Sequence, residues 1–440
     1  MVGIITILVN KRTHTAQEYF VSNRKTTLFA LIATLVMTEL NTSTLVGFAS
    51  LGYIYGFSAG LLAFVFLIGL LFYAISVAKK WKQFDGISVT TYFEKRYNPF
   101  IGYLTAIILL VAMIGFSANY IKSLTLIFSP LFPHLNEWVL SGLFCAIMAL
   151  ITLRGGLKAI IRIDIVSFII TFIIFPTVFY ASFLQGNTQS ISAAITDTAR
   201  TPLPLSMLIS LVIITMFTYI LAPWYGQKIF SANSKSTAFK GVIIAAILIS
   251  MIYLMAILSA SNLSFQSGID LNPQEAIPYL INQRLPIILK GIAYAMMFFI
   301  AATTLVGLWN TIASVFMAHH YKSLKTQNFR TSMIMTSLIA ITSYLLANIL
   351  IDDIFQKMVL MNIPIAALAF ALLGGFYWKR VSAIACLASI ITGIVGGIFC
   401  YFYFGEPDYM WYWAVYVIPL EFMVGVAVTF IAPNKSQLDI

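Results

Sequence analysis

Charged residues are scarce in this chain of 440 residues: they make up 9% of it, whereas hydrophobic residues make up 60%. Soluble domains carry about 25% charged residues. Apolar blocks of about 20 residues, the length of a helix that crosses the hydrocarbon core, recur from Phe29 to Ile431 with only short polar breaks. The chain is therefore predicted to be an all-α polytopic membrane protein, and no polar stretch is long enough for a large soluble catalytic domain.

Cysteine and histidine are also rare. The three cysteines, Cys145, Cys386 and Cys400, lie inside apolar blocks and give neither a disulfide framework nor a metal-binding spacing. The four histidines lie in or beside the polar breaks, and no pair of them has the context of a zinc site. No nucleophile, base and orienting group share a recognisable arrangement either. The sequence therefore predicts that the protein is not an enzyme.

Twelve apolar blocks are predicted to be membrane spans. They are residues 28–50, 57–78, 100–128, 138–153, 160–184, 203–222, 241–262, 287–318, 331–350, 355–377, 382–404 and 411–432. Of the 26 Lys and Arg residues, 21 fall in alternate segments, namely 11–27, 79–98, 154–162, 223–240, 319–330, 379–380 and the C-terminal tail. By the positive-inside rule these segments are cytoplasmic in an inner or plasma membrane. The net charge of +11 then reflects topology and not a nucleic-acid partner.

The predicted organisation has four parts. Residues 1–27 contain a ten-residue apolar start, interpreted as the remnant of a further helix, and a cytoplasmic segment. Residues 28–184 hold five spans, residues 203–377 hold five spans of opposite orientation, and residues 382–440 hold two helices and a short cytoplasmic tail. Two groups of five with opposite orientation permit an inverted repeat, in which the first helix of each half is broken and lines the site.

Span one carries a polar patch at membrane depth. Six of the seven residues from Thr38 to Thr44 are polar, and Glu39 is among them. A charged residue at the bilayer centre costs about 3 kcal/mol on insertion scales. Transporters unwind such helices and use the freed carbonyls to build cation and substrate sites. We therefore predict a broken helix, with an intact helix that pairs Glu39 within the bundle as the alternative.

Two further spans carry hydroxyl groups. Thr303 and Thr304 in span eight would supply oxygen ligands to a hard cation if span one supplied carbonyls, although threonines also pack membrane helices together. Span six is broken near its cytoplasmic end by Pro223 and Gly226. Side chains on spans one, three and six are predicted to contact a solute: Glu39, Asn41, Thr44, Asn119, Thr215 and Tyr219.

Two charged residues lie nearer to the predicted span ends. These are Lys122 in span three and Glu421 in span twelve. A long side chain near the end of a span can extend its charged group to the membrane interface. Both residues are therefore predicted to be structural.

Short motifs along almost the whole chain resemble those of one transporter family. They are Glu18-Tyr19-Phe20 with Asn23-Arg24, Gly47 to Gly56, Tyr92 to Tyr97, Gly155 to Ala159 with Asp164, the run from Thr303 through Asn310 to Tyr321-Lys322, and Gly374 to Arg380. Each motif is weak alone. Because six such motifs occur in the family's order, the chain resembles the sodium/solute symporter family, which includes proline, pantothenate, sialate and sugar transporters.

The resemblance implies a fold and a set of sites. It implies five-plus-five inverted repeats with a sodium site between the first and eighth core helices. Matched residue by residue, that site falls on the following carbonyls and side chains: the carbonyls of Met37, Leu40 and Ile300 and the hydroxyls of Thr303 and Thr304. Asp164 matches an acid near the cytoplasmic sodium exit.

Together, the residues and the resemblance predict a Na+-coupled symporter that imports a small organic solute by alternating access. Ala63 and other apolar residues occupy span two and span seven has no lysine, so an amino acid, a carboxylate or a vitamin is favoured over a sugar. Na+ is the expected coupling ion, with no organic cofactor. The expected partners are the solute and membrane lipid, without nucleic acid or an obligate protein partner. The alternatives are a proton-coupled symporter in which Glu39 titrates and a non-transporting membrane solute sensor.

Overall fold

The computed structural model describes residues 22–434 except 85, 87, 155–156, 185–200, 267–268 and 321–328. The predicted N-terminal remnant, the motif Glu18-Tyr19-Phe20, the glycine pair at 155–156, the pair at 321–322 and the end of the tail lie outside these residues. Apart from one isolated β-bridge between Thr26 and Ala232, the described secondary structure is helical. This agrees with the predicted all-α class.

The part of the chain that the structure describes contains twenty α-helices, numbered here in chain order. They are α1 Leu28–Glu39, α2 Thr42–Tyr55, α3 Ala63–Tyr73, α4 Lys79–Gln83, α5 Thr90–Arg96, α6 Pro99–Phe128, α7 Glu137–Arg154, α8 Leu157–Leu184, α9 Leu205–Tyr219, α10 Pro223–Ser231, α11 Lys235–Ser264, α12 Ala276–Arg284, α13 Ile287–His320, α14 Phe329–Ile349, α15 Ile354–Leu360, α16 Ile363–Ala366, α17 Ala369–Tyr377, α18 Ala383–Phe404, α19 Tyr409–Tyr412 and α20 Ile418–Ile431. Short 3₁₀ and π segments join several of them.

Within the described residues, eight continuous helical stretches, one of them Thr42–Gln83, are long and apolar enough to cross a membrane. The count becomes nine if α9 and α10, which meet at a bend of 50°, form one span. Three shorter apolar helices lie at Leu28–Glu39, Glu137–Thr152 and Ile334–Ile349. The protein is thus a multi-pass membrane protein, and the total of twelve spans stays a prediction.

The chain reverses direction at Gly56, between α2 and α3. Gly56 has a φ of 63°, in the region that glycine adopts at no steric cost. Phe48 and Phe66 would lie about 27 Å apart along a straight helix, but their ring centroids are 4.7 Å apart. Both rings also pack against Tyr253 of α11. Residues 42–83 therefore form two antiparallel segments, as the boundary between predicted spans one and two requires.

Helix α11 is a central packing element. It contacts α1, α2, α3 and α8. Its approach to α2 is close, because a Cβ atom added at Gly52 would lie 2.5 Å from the carbonyl oxygen of Ile257. Helix α13 packs against α6 and α8, and α10 packs against both α1 and α13. These contacts bring the end of α1 next to the middle of α13.

The two charges that were predicted to reach the interface behave differently. Lys122 forms an ion pair with Glu137 at 2.6 Å. Glu421 is fully buried, beside Gly393 of α18 and Ala367, so the expectation that its charged group extends to the membrane interface was wrong, and its structural role stays a prediction. The helical segment around Glu421 runs from residue 409 to residue 431, which places position 421 in its middle. The side chain cannot extend to either end from there.

Candidate functional site

Span one is interrupted within its polar patch. Helix α1 ends at Glu39 and α2 begins at Thr42. Asn41 adopts an extended conformation between them, and its side-chain oxygen accepts a hydrogen bond from the Thr44 amide at 2.7 Å. Asparagine is among the preferred residues for capping the start of a helix in this way. The prediction of a broken helix is confirmed.

The break releases two main-chain carbonyls. In a continuous helix the amides of Asn41 and Thr44 would bond to the carbonyls of Met37 and Leu40. The Asn41 amide instead donates to the carbonyl of Glu39 at 2.7 Å, and the Thr44 amide donates to the Asn41 side chain. The carbonyls of Met37 and Leu40 are therefore free of these helical bonds.

The three remaining groups of the predicted sodium site lie on α13. The hydroxyls of Thr303 and Thr304 are buried and donate to the carbonyl of Ile300 at 3.3 Å and 2.8 Å. Threonines that only pack membrane helices together make the same kind of hydrogen bond to a carbonyl of their own helix. A hydroxyl that donates its proton keeps two lone pairs. The same oxygens therefore remain able to coordinate a cation.

A small cavity lies between the two helices. Its volume of about 10 Å³ is enough for about one water molecule. Its lining residues come from α1, α6, α10 and α13: Thr38, Tyr120, Trp224, Gln227, Lys228, Thr303, Thr304, Gly307 and Leu308. The cavity thus joins the patch on α1 to the two hydroxyls of α13.

Glu39 is held by tyrosines from the second half of the chain. Tyr219 of α9 donates to Oε1, and Tyr225 of α10 donates to Oε2 at 2.6 Å. Tyr253 of α11 donates to the main-chain carbonyl of Glu39 at 2.8 Å. A buried carboxylate requires such donors. The break of span one is therefore fastened to both halves of the bent pair α9 and α10.

The other predicted solute contacts do not all converge on Glu39. Thr44 donates to the sulfur of Met358 at 3.4 Å. With its amide oriented so that both ends are bonded, Asn119 accepts from the Met358 amide at 3.0 Å. Thr215 is half-buried and packs against Gly69 of α3. Three predicted contacts share the break, and these are Glu39, Asn41 and Tyr219.

Asp164 of α8 is buried on the side of the cavity where α10 lies. Its Oδ2 atom accepts from Thr34 of α1 and pairs with Lys228 at 3.2 Å. Lys228 also donates to Thr34 at 2.6 Å. The basic segment 223–240 is predicted to be a cytoplasmic break between spans, but Lys228 within it is only 3% exposed. The difference arises because the break at Pro223 is followed by a buried helix, α10, and not by a loop.

Several residues of this region could not be identified from the sequence. Tyr225, Lys228 and Tyr253 approach Glu39 and Asp164 only because α10 and α11 pack against α1. One usable signal was present: Tyr225 directly follows the Pro223-Trp224 break. A break next to a polar patch on another span favours a shared site.

Comparison with known proteins gives a consistent result. A family model described as the sodium:solute symporter family matches residues 19–393. An uncharacterized symporter of Escherichia coli, YidK, is 23% identical and covers 99% of this chain and 83% of its own length. The sodium/pantothenate symporter of Haemophilus influenzae is 23% identical, with coverage of 86% and 82%.

Solved structures share the fold. A Na+-coupled sialic acid symporter in a substrate-bound outward-open state has a TM-score of 0.82 at 17% identity and covers 99% of this chain and 98% of its own. Mhp1, a nucleobase-cation-symport-1 family transporter in a closed conformation with bromovinylhydantoin bound, has a TM-score of 0.59 at 13% identity, with coverage of 95% and 96%. The predicted fold class is thereby confirmed.

Proposed function

The chain belongs to the sodium:solute symporter family, and from that premise we propose that it couples the inward movement of Na+ to the import of a small organic solute by alternating access. The family and the symporters among its relatives support a Na+-coupled transporter and not an enzyme. One observation carries the proposal further. The broken helix α1 and the hydroxyls of Thr303 and Thr304 border the same small cavity.

The proposed sodium ligands are five oxygens from two helices. They are the carbonyls of Met37, Leu40 and Ile300 and the hydroxyls of Thr303 and Thr304. A hard cation prefers such oxygen ligands. Because the ligands come from both α1 and α13, a bound ion would hold the two helices together. An ion that binds one conformation better than another shifts the population toward that conformation, which couples ion binding to the transport cycle.

The proposed solute contacts lie beside the ion. Glu39 directly precedes Leu40 in the chain, so the carboxylate cluster with Tyr219 and Tyr225 adjoins the sodium ligands. Asn41 follows them. A solute that bonds to this cluster would also fix the break in α1, and the two sites would then reinforce each other. Asn119, Thr44 and Thr215 stay proposed contacts on the neighbouring helix surfaces.

The solute class is proposed from the polar groups available. Carboxylate, amide and phenol groups around the break suit an amino acid, a carboxylate or a vitamin better than a sugar. Among the relatives, one is named for pantothenate and a structural neighbour for sialic acid, so the names alone do not select a class. We place the protein in the inner or plasma membrane with its C-terminus in the cytoplasm, since alternate basic segments fit that topology.

The driving force of one Na+ is sufficient for uptake of a scarce nutrient. One charge crossing 100 mV contributes about 2.3 kcal/mol. A tenfold Na+ gradient contributes about 1.4 kcal/mol. The total of about 3.7 kcal/mol supports a gradient of about 500-fold for one ion per neutral solute.

A thermal-shift screen tests the proposal. Purified protein is heated with panels of amino acids, carboxylates and vitamins, each in Na+ and in K+. A ligand that binds the folded state raises its melting temperature, so the solute is expected to stabilise the protein in Na+ and not in K+. Equal stabilisation in both salts would contradict Na+ coupling. The proton-coupled alternative predicts uptake in Na+-free buffer driven by a step in pH across the membrane.

A further inference from the structure

Lys228 lies between the candidate cation cavity and Asp164. Lys228 lines the cavity together with Thr303 and Thr304. Its ammonium donates to Thr34 at 2.6 Å and pairs with Asp164 at 3.2 Å. Burying two charges costs most of what their attraction returns. Stability alone therefore does not account for an ion pair at this position.

The ammonium is close enough to act on an ion in the cavity. Thr38, which lines the cavity, lies one helical turn along α1 from Thr34, a distance of about 5.4 Å, and its hydroxyl donates to the Thr34 carbonyl at 2.6 Å. Two like charges about 6 Å apart, at an effective dielectric constant of about 20, change a binding constant by about 100-fold. The negative charge of Asp164 offsets only part of this repulsion, because Lys228 lines the cavity and Asp164, which does not, is farther from the ion.

Asp164 retains one oxygen for a further partner. Its Oδ2 atom is engaged by Lys228 and Thr34. Its Oδ1 atom is buried and has no hydrogen-bond partner within the part of the chain that the structure describes. An unsatisfied buried acceptor is costly, and a carboxylate oxygen is a suitable ligand for a hard cation. Asp164 is thus able to receive an ion that leaves the cavity while Lys228 stays on its other oxygen.

We propose that Lys228 promotes ion release: its fixed ammonium weakens cation binding in the cavity, and the departing ion passes to Oδ1 of Asp164, the acid that the family resemblance places near the exit. The inference rests on the proposed Na+-coupled function and adds to it the residue that limits ion affinity. A carrier must release its ion in every cycle, and five oxygen ligands without an opposing charge would hold Na+ longer. Lys228 therefore lowers the affinity for Na+ and speeds its release.

Direct binding of ²²Na+ to the purified full-length protein tests this inference without a known solute. The variant Lys228→Met with Asp164→Asn removes both charges and keeps the side-chain volumes, so no buried charge is left unpaired. The expected result is a Kd for Na+ about tenfold lower than in the wild type, with slower release on dilution into unlabelled Na+. Lys228→Arg, which keeps the charge, is expected to retain the wild-type Kd.

A second ion pair serves as the matched control. Lys357 and Glu406 pair at 2.8 Å outside the cavity, so Lys357→Met with Glu406→Gln is expected to leave the Kd unchanged. If the folded double variant of Lys228 and Asp164 binds Na+ with equal or lower affinity than the wild type, the role of Lys228 is refuted while Na+ coupling stands. If the wild type binds no ²²Na+, the proposed function itself fails.

Discussion

Replacing Thr304 by alanine removes one of the five oxygens proposed to bind Na+. The hydroxyl is buried and donates to the Ile300 carbonyl at 2.8 Å, so its oxygen is held in place beside the cavity. An interaction between a polar group and a charge contributes about 1.5–3 kcal/mol. We therefore expect the Kd for Na+ to rise about 10- to 150-fold. Thr303→Ala is expected to act in the same direction.

The fold should tolerate this change. Alanine has a higher helix propensity than threonine, and the lost hydrogen bond lies within one helix. Thr429 of α20 provides the matched control, because its buried hydroxyl donates to the carbonyl four residues earlier, at 2.7 Å, as that of Thr304 does. Thr429→Ala removes the same group with the same local bond. It is expected to leave Na+ binding unchanged.

The assay measures stabilisation by Na+. Ligand present at 100 times its Kd stabilises a folded protein by about 2.7 kcal/mol. A tenfold weaker site at the same Na+ concentration gives about 1.4 kcal/mol. Thr304→Ala should therefore lose about half of the Na+-dependent increase in stability, while Thr429→Ala keeps it. If Thr303→Ala and Thr304→Ala both keep the full increase, the sodium ligands have been assigned to the wrong residues.

Three further substitutions test the surroundings of the site. Glu39→Gln keeps the size of the side chain but removes its charge, so uptake should be lost while the protein stays folded. Glu421→Gln makes the same change at a buried position outside the site and should leave uptake intact. Equal uptake by the two variants would show that the charge of Glu39 has no role in transport. Asn41→Ala removes the cap of α2 and should lower the stability by about 1 kcal/mol, measured as a lower melting temperature, with an unchanged value contradicting the capping role. Gly52→Val places side-chain atoms against the carbonyl of Ile257, so expression of folded protein should fall sharply, and normal expression would show that α2 and α11 are not this close.

The broken helix could be predicted because its cause is local. Six polar residues from Thr38 to Thr44 conflict with a lipid-facing helix whatever the rest of the chain does. The reversal at Gly56 is local in the same way, since it falls between two apolar blocks. Polar residues that cannot face lipid and a boundary between two apolar blocks can both be recognised without knowing which helices are neighbours.

The partners of the site could not be predicted because their causes are not local. Lys228 and Asp164 are 64 residues apart in sequence and meet only because α8 and α10 both pack against α1. The basic residues of segment 223–240 predict a cytoplasmic break, and nothing in that segment alone indicates that Lys228 is buried. The expectation for Glu421 failed for a different reason, because position 421 already lies in the middle of the predicted span 411–432, too far from either end for its charged group to reach the interface.

Uptake into proteoliposomes tests the central claim most directly. The solute selected by the thermal-shift screen is supplied outside, with an outside-to-inside Na+ gradient and an inside-negative potential. The account predicts concentrative uptake that disappears when K+ replaces external Na+, with an upper limit of about 500-fold for one ion per neutral solute at 100 mV and a tenfold gradient. Accumulation of the solute in Na+-free buffer under a pH gradient alone would contradict it.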